Sequence, residues 1–210
     1  MDARSAVQWI VALLVIMEGI SPPVFAGTVY TYGGDFNLHI PAEPDDTRGW
    51  MPDAIINIPD SFPVLDLDVR ISLTHTSAFD LQVFLQHTVE IDGKPVKTRI
   101  CLNMYDFEKG FFKGRDYINT IFDDQAHIPI ERARSPFTGR FRPRSPFRLS
   151  TFNDHNAFGQ WSLQIYDAYY YDTGSLNYFE LTITAPEPAT AVLLMLGAAL
   201  ISLYTPRRHP

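Results

Sequence analysis

The sequence predicts an all-β fold, an antiparallel β-sandwich or barrel, from three observations. Several short segments alternate strictly between apolar and polar residues, which is the period of a half-buried strand. No segment shows a sustained helical period. Sixteen prolines and twelve glycines interrupt the chain and favour turns over long helices.

Four segments carry the alternation. The residues predicted to face the core are, in chain order, Leu65, Leu67, Val69, Ile71 and Leu73; Leu81, Val83 and Leu85; Trp161, Leu163 and Ile165; Phe179, Leu181 and Ile183. Asp172 and Gly174 lie between the last two segments and predict the turn of a closing hairpin, with Gly174 able to take a positive φ. Cys101 alternates with Ile100 and Leu102, so we expect it in a strand. Residues 103–116 lack a period and predict an irregular loop.

Length and charge limit the functional classes. A chain of 210 residues suits one domain with terminal segments. The formal net charge of −7 argues against nucleic acid as a partner, because phosphate binding requires a cationic face. The only cysteine, Cys101, excludes an intramolecular disulfide.

Residues 1–26 are typical of a secretory signal peptide. Arg4 gives a positive start, residues 7–17 form an apolar segment, and a small residue, Ala26, precedes Gly27 at the expected cleavage point. The alternative is an uncleaved amino-terminal anchor, but the apolar segment is shorter than the ~20 residues that a membrane span needs.

The carboxyl-terminal residues 185–210 form a second segment outside the predicted domain. No charge occurs from Ala189 to Tyr204, and Arg207 and Arg208 follow. Such a segment predicts a transmembrane helix with its basic end on the cytoplasmic side. The physical pattern leaves open whether it is a permanent anchor or a temporary stop-transfer segment.

The order of these features resembles the sorting tail of PEP-CTERM proteins. Pro186, Glu187 and Pro188 stand first, the apolar segment follows, and Arg207 and Arg208 close it. The resemblance implies that the protein is exported by a Gram-negative bacterium, held briefly in the inner membrane, and processed there by an exosortase-type enzyme. It would then reach the periplasm, the outer surface or the extracellular matrix.

The body resembles the P domain (P/Homo B domain) of proprotein convertases. The matching elements are the segment from Ile71 to Thr76, Asp80–Leu81, Phe122–Asp124, Gly159–Trp161 with Leu163, and Asp167, Asp172 and Gly174. The resemblance covers residues 55–184 and implies a sandwich of jelly-roll type. Residues 27–54 would then form an amino-terminal extension of it, with a possible first strand.

P domains accompany kexin- and subtilisin-like serine proteases, so proteolysis must be considered. The sequence contains no G-x-S-x-G segment and none of the subtilisin-type motifs. The predicted sandwich also occupies nearly all of the mature chain. We therefore predict no catalytic residues and no enzyme activity.

Acidic turn residues suggest a metal site. The six histidines show no zinc-binding spacing. Asp80, Asp167 and Asp172 all fall at strand ends or turns, and Ca²⁺ prefers several carboxylate oxygens together with backbone carbonyls. A structural Ca²⁺ at these three residues is one interpretation. The alternative is that each aspartate caps its own turn.

An arginine-rich segment, residues 131–148, offers a second candidate site. Arg134, Arg140, Arg142 and Arg144 with nearby phenylalanines could bind an anionic polymer such as an acidic exopolysaccharide. The alternative is a solvated loop whose arginines offset nearby aspartates. The tyrosines at 166 and 169–171 could stack on a carbohydrate.

These observations predict a non-catalytic, exported surface or matrix protein that binds a polysaccharide or another protein. The alternative function is an accessory domain that acts in trans on a secreted serine protease.

Overall fold

The structure is a computed structural model that describes residues 27–42, 48–104 and 114–187. The predicted signal peptide, residues 1–26, and most of the predicted sorting tail lie outside the described residues. Gly27–Pro186 forms one compact unit. Within the described ranges, no helix has the length and apolarity needed to cross a membrane.

Where the structure describes this unit, it contains strands and three short 3₁₀ turns, so the all-β prediction is confirmed. The strands are β1 (Thr28–Ile40), β2 (Gly49–Trp50), β3 (Ala54–Ile58), β4 (Asp66–His75), β5 (Leu81–Ile91), β6 (Lys94–Asn103), β7 (Tyr117–Phe122), β8 (Phe137–Phe141), β9 (Gly159–Asp167) and β10 (Gly174–Ala185). The 3₁₀ turns are Ala78–Asp80, Ile130–Arg132 and Leu149–Phe152.

Two sheets make up the fold. Sheet A has the order β1-β10-β4-β7-β8, and sheet B has the order β2-β9-β5-β6 with β3 also beside β9. Apart from β2 and β8, the strands pair in nested fashion: β1 with β10, β3 with β9, β4 with β7 and β5 with β6. Nested antiparallel pairing across two sheets is the jelly-roll arrangement.

Two connections differ from the sequence-based prediction. β9 and β10 do not form a hairpin, because β9 lies in sheet B and β10 in sheet A. β7 and β8 are parallel rather than antiparallel. The connection between them, residues 123–136, is long enough to bring the chain back to the end of the sheet at which β7 begins, as a parallel pair requires.

Alternation places the core between the sheets. All the predicted inward residues of β4, β5, β9 and β10 are buried. Leu65 is the exception: it precedes β4 and is 44% exposed. Cys101 lies in β6, as predicted, and its buried thiol donates to the carbonyl of Asn103. Burial raises the pKa of this thiol to about 11, so it remains protonated near neutral pH.

Residues 27–54 contribute the edge of sheet A. The predicted first strand is β1, which pairs along most of its length with β10. β5 and β6 form a hairpin through Asp92 and Gly93, whose φ values of 51° and 70° suit a two-residue turn of type I′.

Candidate functional site

The structure brings Asp80, Asp167 and Asp172 together where the chain crosses from sheet B to sheet A. Asp80 ends a 3₁₀ turn and is 4% exposed, and Asp167 is the fully buried last residue of β9. Asp172 lies in the following loop and accepts a hydrogen bond of 2.7 Å from the Thr76 hydroxyl. The carboxyl groups of Asp80 and Asp172 also share a hydrogen bond.

Burial is the main cause that raises the pKa of Asp80, to about 6. The negative charges of Asp172 and Asp167 raise the pKa further, while the nearby Ser77 side chain opposes the shift. Like charges close to a carboxyl group disfavour its ionised form, so the two neighbouring carboxyl groups act in the same direction as burial on the pKa of Asp80.

His75 completes the cluster from the end of β4. Its Nε2 lies 3.2 Å from Oδ2 of Asp167, and both side chains are fully buried. Its Nδ1 lies 2.8 Å from the carbonyl oxygen and 3.2 Å from the amide nitrogen of Ser77. Ser77 thus meets the imidazole through its backbone, whereas a nucleophile–base pair requires contact through the hydroxyl.

Metal coordination gains no support from this geometry. Among the residues that the structure describes, no group of three or more His, Cys, Asp or Glu side chains is placed so that it could hold a metal ion. Calcium at Asp80, Asp167 and Asp172 therefore stays a prediction.

The arginine-rich segment is largely engaged within the molecule. Arg140 donates to Asp68 and Asp123 at 2.7 Å each. Arg142 and Arg144 donate over 3.5 Å and 3.4 Å to backbone carbonyls, and Arg134 is exposed. These contacts agree with arginines that offset nearby aspartates. Binding of an acidic polysaccharide here stays a prediction.

The solvent-facing side of sheet B, which we call the outer face, joins the predicted Tyr166 to two aromatic side chains that the sequence reasoning missed, Trp50 and Phe84. Trp50 packs against Tyr166 and Phe84, with ring centroids 5.0 and 6.0 Å apart, and is still 47% exposed. A detectable signal was present: Phe84 and Tyr166 occupy positions where the alternation of β5 and β9 requires polar residues. Trp50 itself gave no such signal, because β2 has only two residues.

Polar side chains on the outer face form a connected chain. Gln164 accepts a hydrogen bond from Arg99 at 3.3 Å and donates one to Asp53 at 2.8 Å. The Arg99 guanidinium also lies 4.4 Å from the centre of the Phe84 ring. The remaining predicted tyrosines lie beyond this face in the β9–β10 loop, where Tyr170 is 50% and Tyr171 80% exposed.

A cavity of about 400 Å³ lies at the far end of sheet B, between the β5–β6 hairpin and the loop before β9. His87 lies on its floor, stacked on Trp161 with ring centroids 4.1 Å apart. Burial lowers the pKa of His87, which keeps the imidazole neutral near pH 7. The exposed Phe158 forms part of its rim.

The predicted sorting motif begins directly after the last strand. β10 ends at Ala185, and Pro186 and Glu187 are the last residues that the structure describes. Pro188, Arg207 and Arg208 lie outside the described residues, so the transmembrane segment and its processing stay predictions.

Comparisons with known proteins do not assign a family. No protein-family model matches the chain, and no curated protein sequence matches it. The resemblances to P domains and to PEP-CTERM tails therefore stay predictions.

Solved structures show only distant similarity. The chain is similar to the serine protease of Aeromonas sobria in a complex with its chaperone (TM-score 0.44, 16% identity, 83% of this chain and 29% of that chain). Similar values hold for a structure of that protease (0.42, 15%, 82% and 29%). A structure of infectious bursal disease virus, Gt strain, follows (0.34, 14%, 79% and 37%). The chain thus spans less than two fifths of the length of each of these three chains.

Proposed function

We propose that the chain is a non-catalytic, exported surface or extracellular-matrix protein whose P-domain-like sandwich is a binding module. Its tail is a sorting signal that an exosortase-type enzyme processes at the inner membrane. The observation that carries the binding role is the outer face of sheet B. There, exposed Trp50 and the hydrogen-bonded side chains of Arg99, Gln164 and Asp53 face solvent. Exposed aromatic rings beside ordered polar groups are common at recognition surfaces.

The experiment expresses the tagged full chain in a Gram-negative host that has an exosortase. Membrane, periplasmic and matrix fractions are compared with those of a variant whose Pro186, Glu187 and Pro188 are alanine. We expect the parent in the matrix and the variant retained in the membrane. Equal distribution of the two would contradict the sorting role, and a parent protein that washes freely from isolated matrix would contradict the binding role.

The same purified protein can be used to distinguish the alternative function, an accessory domain of a protease, from the matrix-binding function. An accessory domain would change the activity or melting temperature of a secreted subtilisin-like protease added in trans. A change at equimolar protein, without retention on matrix, would replace the matrix role by the accessory one.

A further inference from the structure

We propose that the outer face of sheet B binds a chain of uncharged sugar residues, with Trp50 as the ring on which a sugar stacks. The inference rests on the proposed binding function and adds to it a surface and a ligand class. It assigns the ligand to a face different from the arginine-rich segment.

Trp50 is held in place and yet open to a ligand. β2 positions it opposite Tyr166 of β9, and its ring packs on Tyr166 and Phe84 beneath it. Phe84 is only 8% exposed, so the hydrophobic surface under Trp50 is already covered, while Trp50 leaves 47% of its own surface in water. A fixed planar ring of this kind suits the apolar C–H face of a sugar, and little side-chain freedom is lost on binding.

Gln164 holds two polar side chains of the outer face in place through hydrogen bonds. It joins Arg99 on one side to Asp53 on the other, and Arg99 is fixed further by its contact with the Phe84 ring. Arg99 and Asp53 use only some of their hydrogen-bonding capacity in these contacts, since guanidinium and carboxylate groups each support several bonds. Arg99 and Trp50 both contact the Phe84 ring, so the hydroxyl groups of a sugar stacked on Trp50 would lie on the side of the face that carries the guanidinium.

Apart from the exposed side chain of Ile55, much of the rest of the outer face is polar, as a polyhydroxylated ligand requires. Strand register places side-chain amides and a hydroxyl in adjacent rows, namely Gln82, Gln86, Thr88, Gln160 and Asn57. Two acidic side chains lie on this face, Asp53 directly before β3 and Glu90 in β5, together with two basic ones in β6, Lys97 and Arg99. These charges balance, so the face favours an uncharged ligand over an acidic one.

The shape of the site favours a polymer. The rows run across an open sheet whose neighbouring strands are ~4.8 Å apart, and the described cavities around the β5–β6 hairpin lie at its far end. An open surface contacts one side of an extended chain along its length. A single sugar would leave most of the polar row unused.

The test is co-sedimentation of the purified full chain with insoluble cellulose, β-1,3-glucan and starch, and with the acidic gels of alginate and polygalacturonate. Each is measured at low and at high ionic strength. We expect binding to at least one neutral polysaccharide, with little change in salt because no ion pair is involved. Trp50→Ala should weaken it about tenfold or more, as for a central aromatic contact, and Trp50→Phe should weaken it less.

Gln164→Ala supplies a second variant with the aromatic group intact, and it should also weaken binding. The matched control is Tyr30→Ala, which removes an exposed aromatic ring from sheet A that stacks on Phe62. It should bind as the parent does. Melting temperatures show whether each variant is folded.

Several outcomes would overturn the inference. These are the absence of binding to every neutral polysaccharide, full binding by folded Trp50→Ala and Gln164→Ala, binding to acidic gels alone that is lost in salt, or a face buried in a dimer of this chain. If no neutral polysaccharide binds but the protein is retained on isolated matrix, the proposed function still stands, with a protein or an acidic polysaccharide as the ligand.

Discussion

At the scale of single residues, Asp80 and Arg140 show how burial and charge act against each other. Asp80 is enclosed beside two other carboxylates, so its protonated form is favoured. Arg140 donates one hydrogen bond of 2.7 Å to Asp68 and one of the same length to Asp123. Burial still raises the pKa of Asp68, and the Arg140 hydrogen bond opposes that shift.

The first prediction concerns Asp80. Its folded pKa of about 6 is higher than the ~3.9 of an unfolded aspartate, so its stabilising contribution is complete below pH ~4 and is lost as the pH rises to about 6. Asp80→Asn keeps the shape without the charge. It should remove this loss and raise stability at pH 7 by about 1–2 kcal/mol, measured by thermal unfolding from pH 4 to pH 8.

Asp92→Asn is the matched control for Asp80. Asp92 is an exposed turn residue with φ of 51°, which asparagine also adopts readily. The control should keep the pH profile of the parent. An Asp80→Asn protein that still loses stability between pH 4 and pH 6 would show that another group causes the loss.

The second prediction concerns Arg140. Arg140→Ala leaves the carboxylates of Asp68 and Asp123 without their shared donor, and stability should fall by ~1 kcal/mol, because the guanidinium is more than half exposed. A double-mutant cycle with Asp123→Asn measures the coupling in urea. Additive effects of the two substitutions would mean that this ion pair contributes nothing.

At the scale of elements, the start of β10 requires a glycine, Gly174, although the residue does not lie in a turn. The sequence predicts Gly174 as a turn residue with positive φ, but the structure places it at the start of β10, opposite His75 of β4. A Cβ at this position would lie 2.0 Å from the carbonyl oxygen of Thr74. Close approach of two backbones is thus the reason for the glycine, and the positive φ in this loop belongs to Tyr171.

The third prediction follows from that close approach. Gly174→Ala should lower the free energy of unfolding by about 2–3 kcal/mol, because β10 must move away from β4. Gly34→Ala in β1 is the control, since its Cβ would meet nothing within 4 Å, and it should be close to neutral. Urea unfolding compares the two, and equal stabilities would contradict the steric explanation.

The elements also show what the sequence can and cannot predict. Strands such as β4 and β9 were predictable because each buries one face, so alternation follows directly from packing. The placement of β9 and β10 in different sheets was not predictable from the sequence. A turn residue such as Asp172 has the same sequence signal in a hairpin as in a connection that crosses between two sheets. Asp80, Asp167 and Asp172 were expected to lie close together because each falls at a strand end or turn. The neighbours of Trp50 were not predictable, because they depend on the pairing of β2 with β9.

At the scale of the whole molecule, the first and last strands place the ends of the domain side by side. Thr28 of β1 pairs with Ala185 of β10 in sheet A. The predicted signal cleavage point after Ala26 and the predicted sorting motif from Pro186 therefore lie within about two residues of the paired strand ends. Removal of both terminal segments would leave every strand of the sandwich intact.

The last prediction concerns this boundary. Mass spectrometry of the mature protein from an exosortase-containing host should give a chain that begins at Gly27 and ends near Pro186 or Pro188. We expect these ends because a cut inside β1 or β10 would remove backbone hydrogen bonds from sheet A, which would protect the sandwich from further trimming. A protease of broad specificity such as proteinase K should leave about the same strand ends in the unprocessed chain, and Gly174→Ala, which loosens β10, should let the protease trim that end further. A mature chain that retains Arg207 and Arg208 would identify the tail as a permanent anchor, and one that begins at Met1 would identify the amino terminus as an uncleaved one.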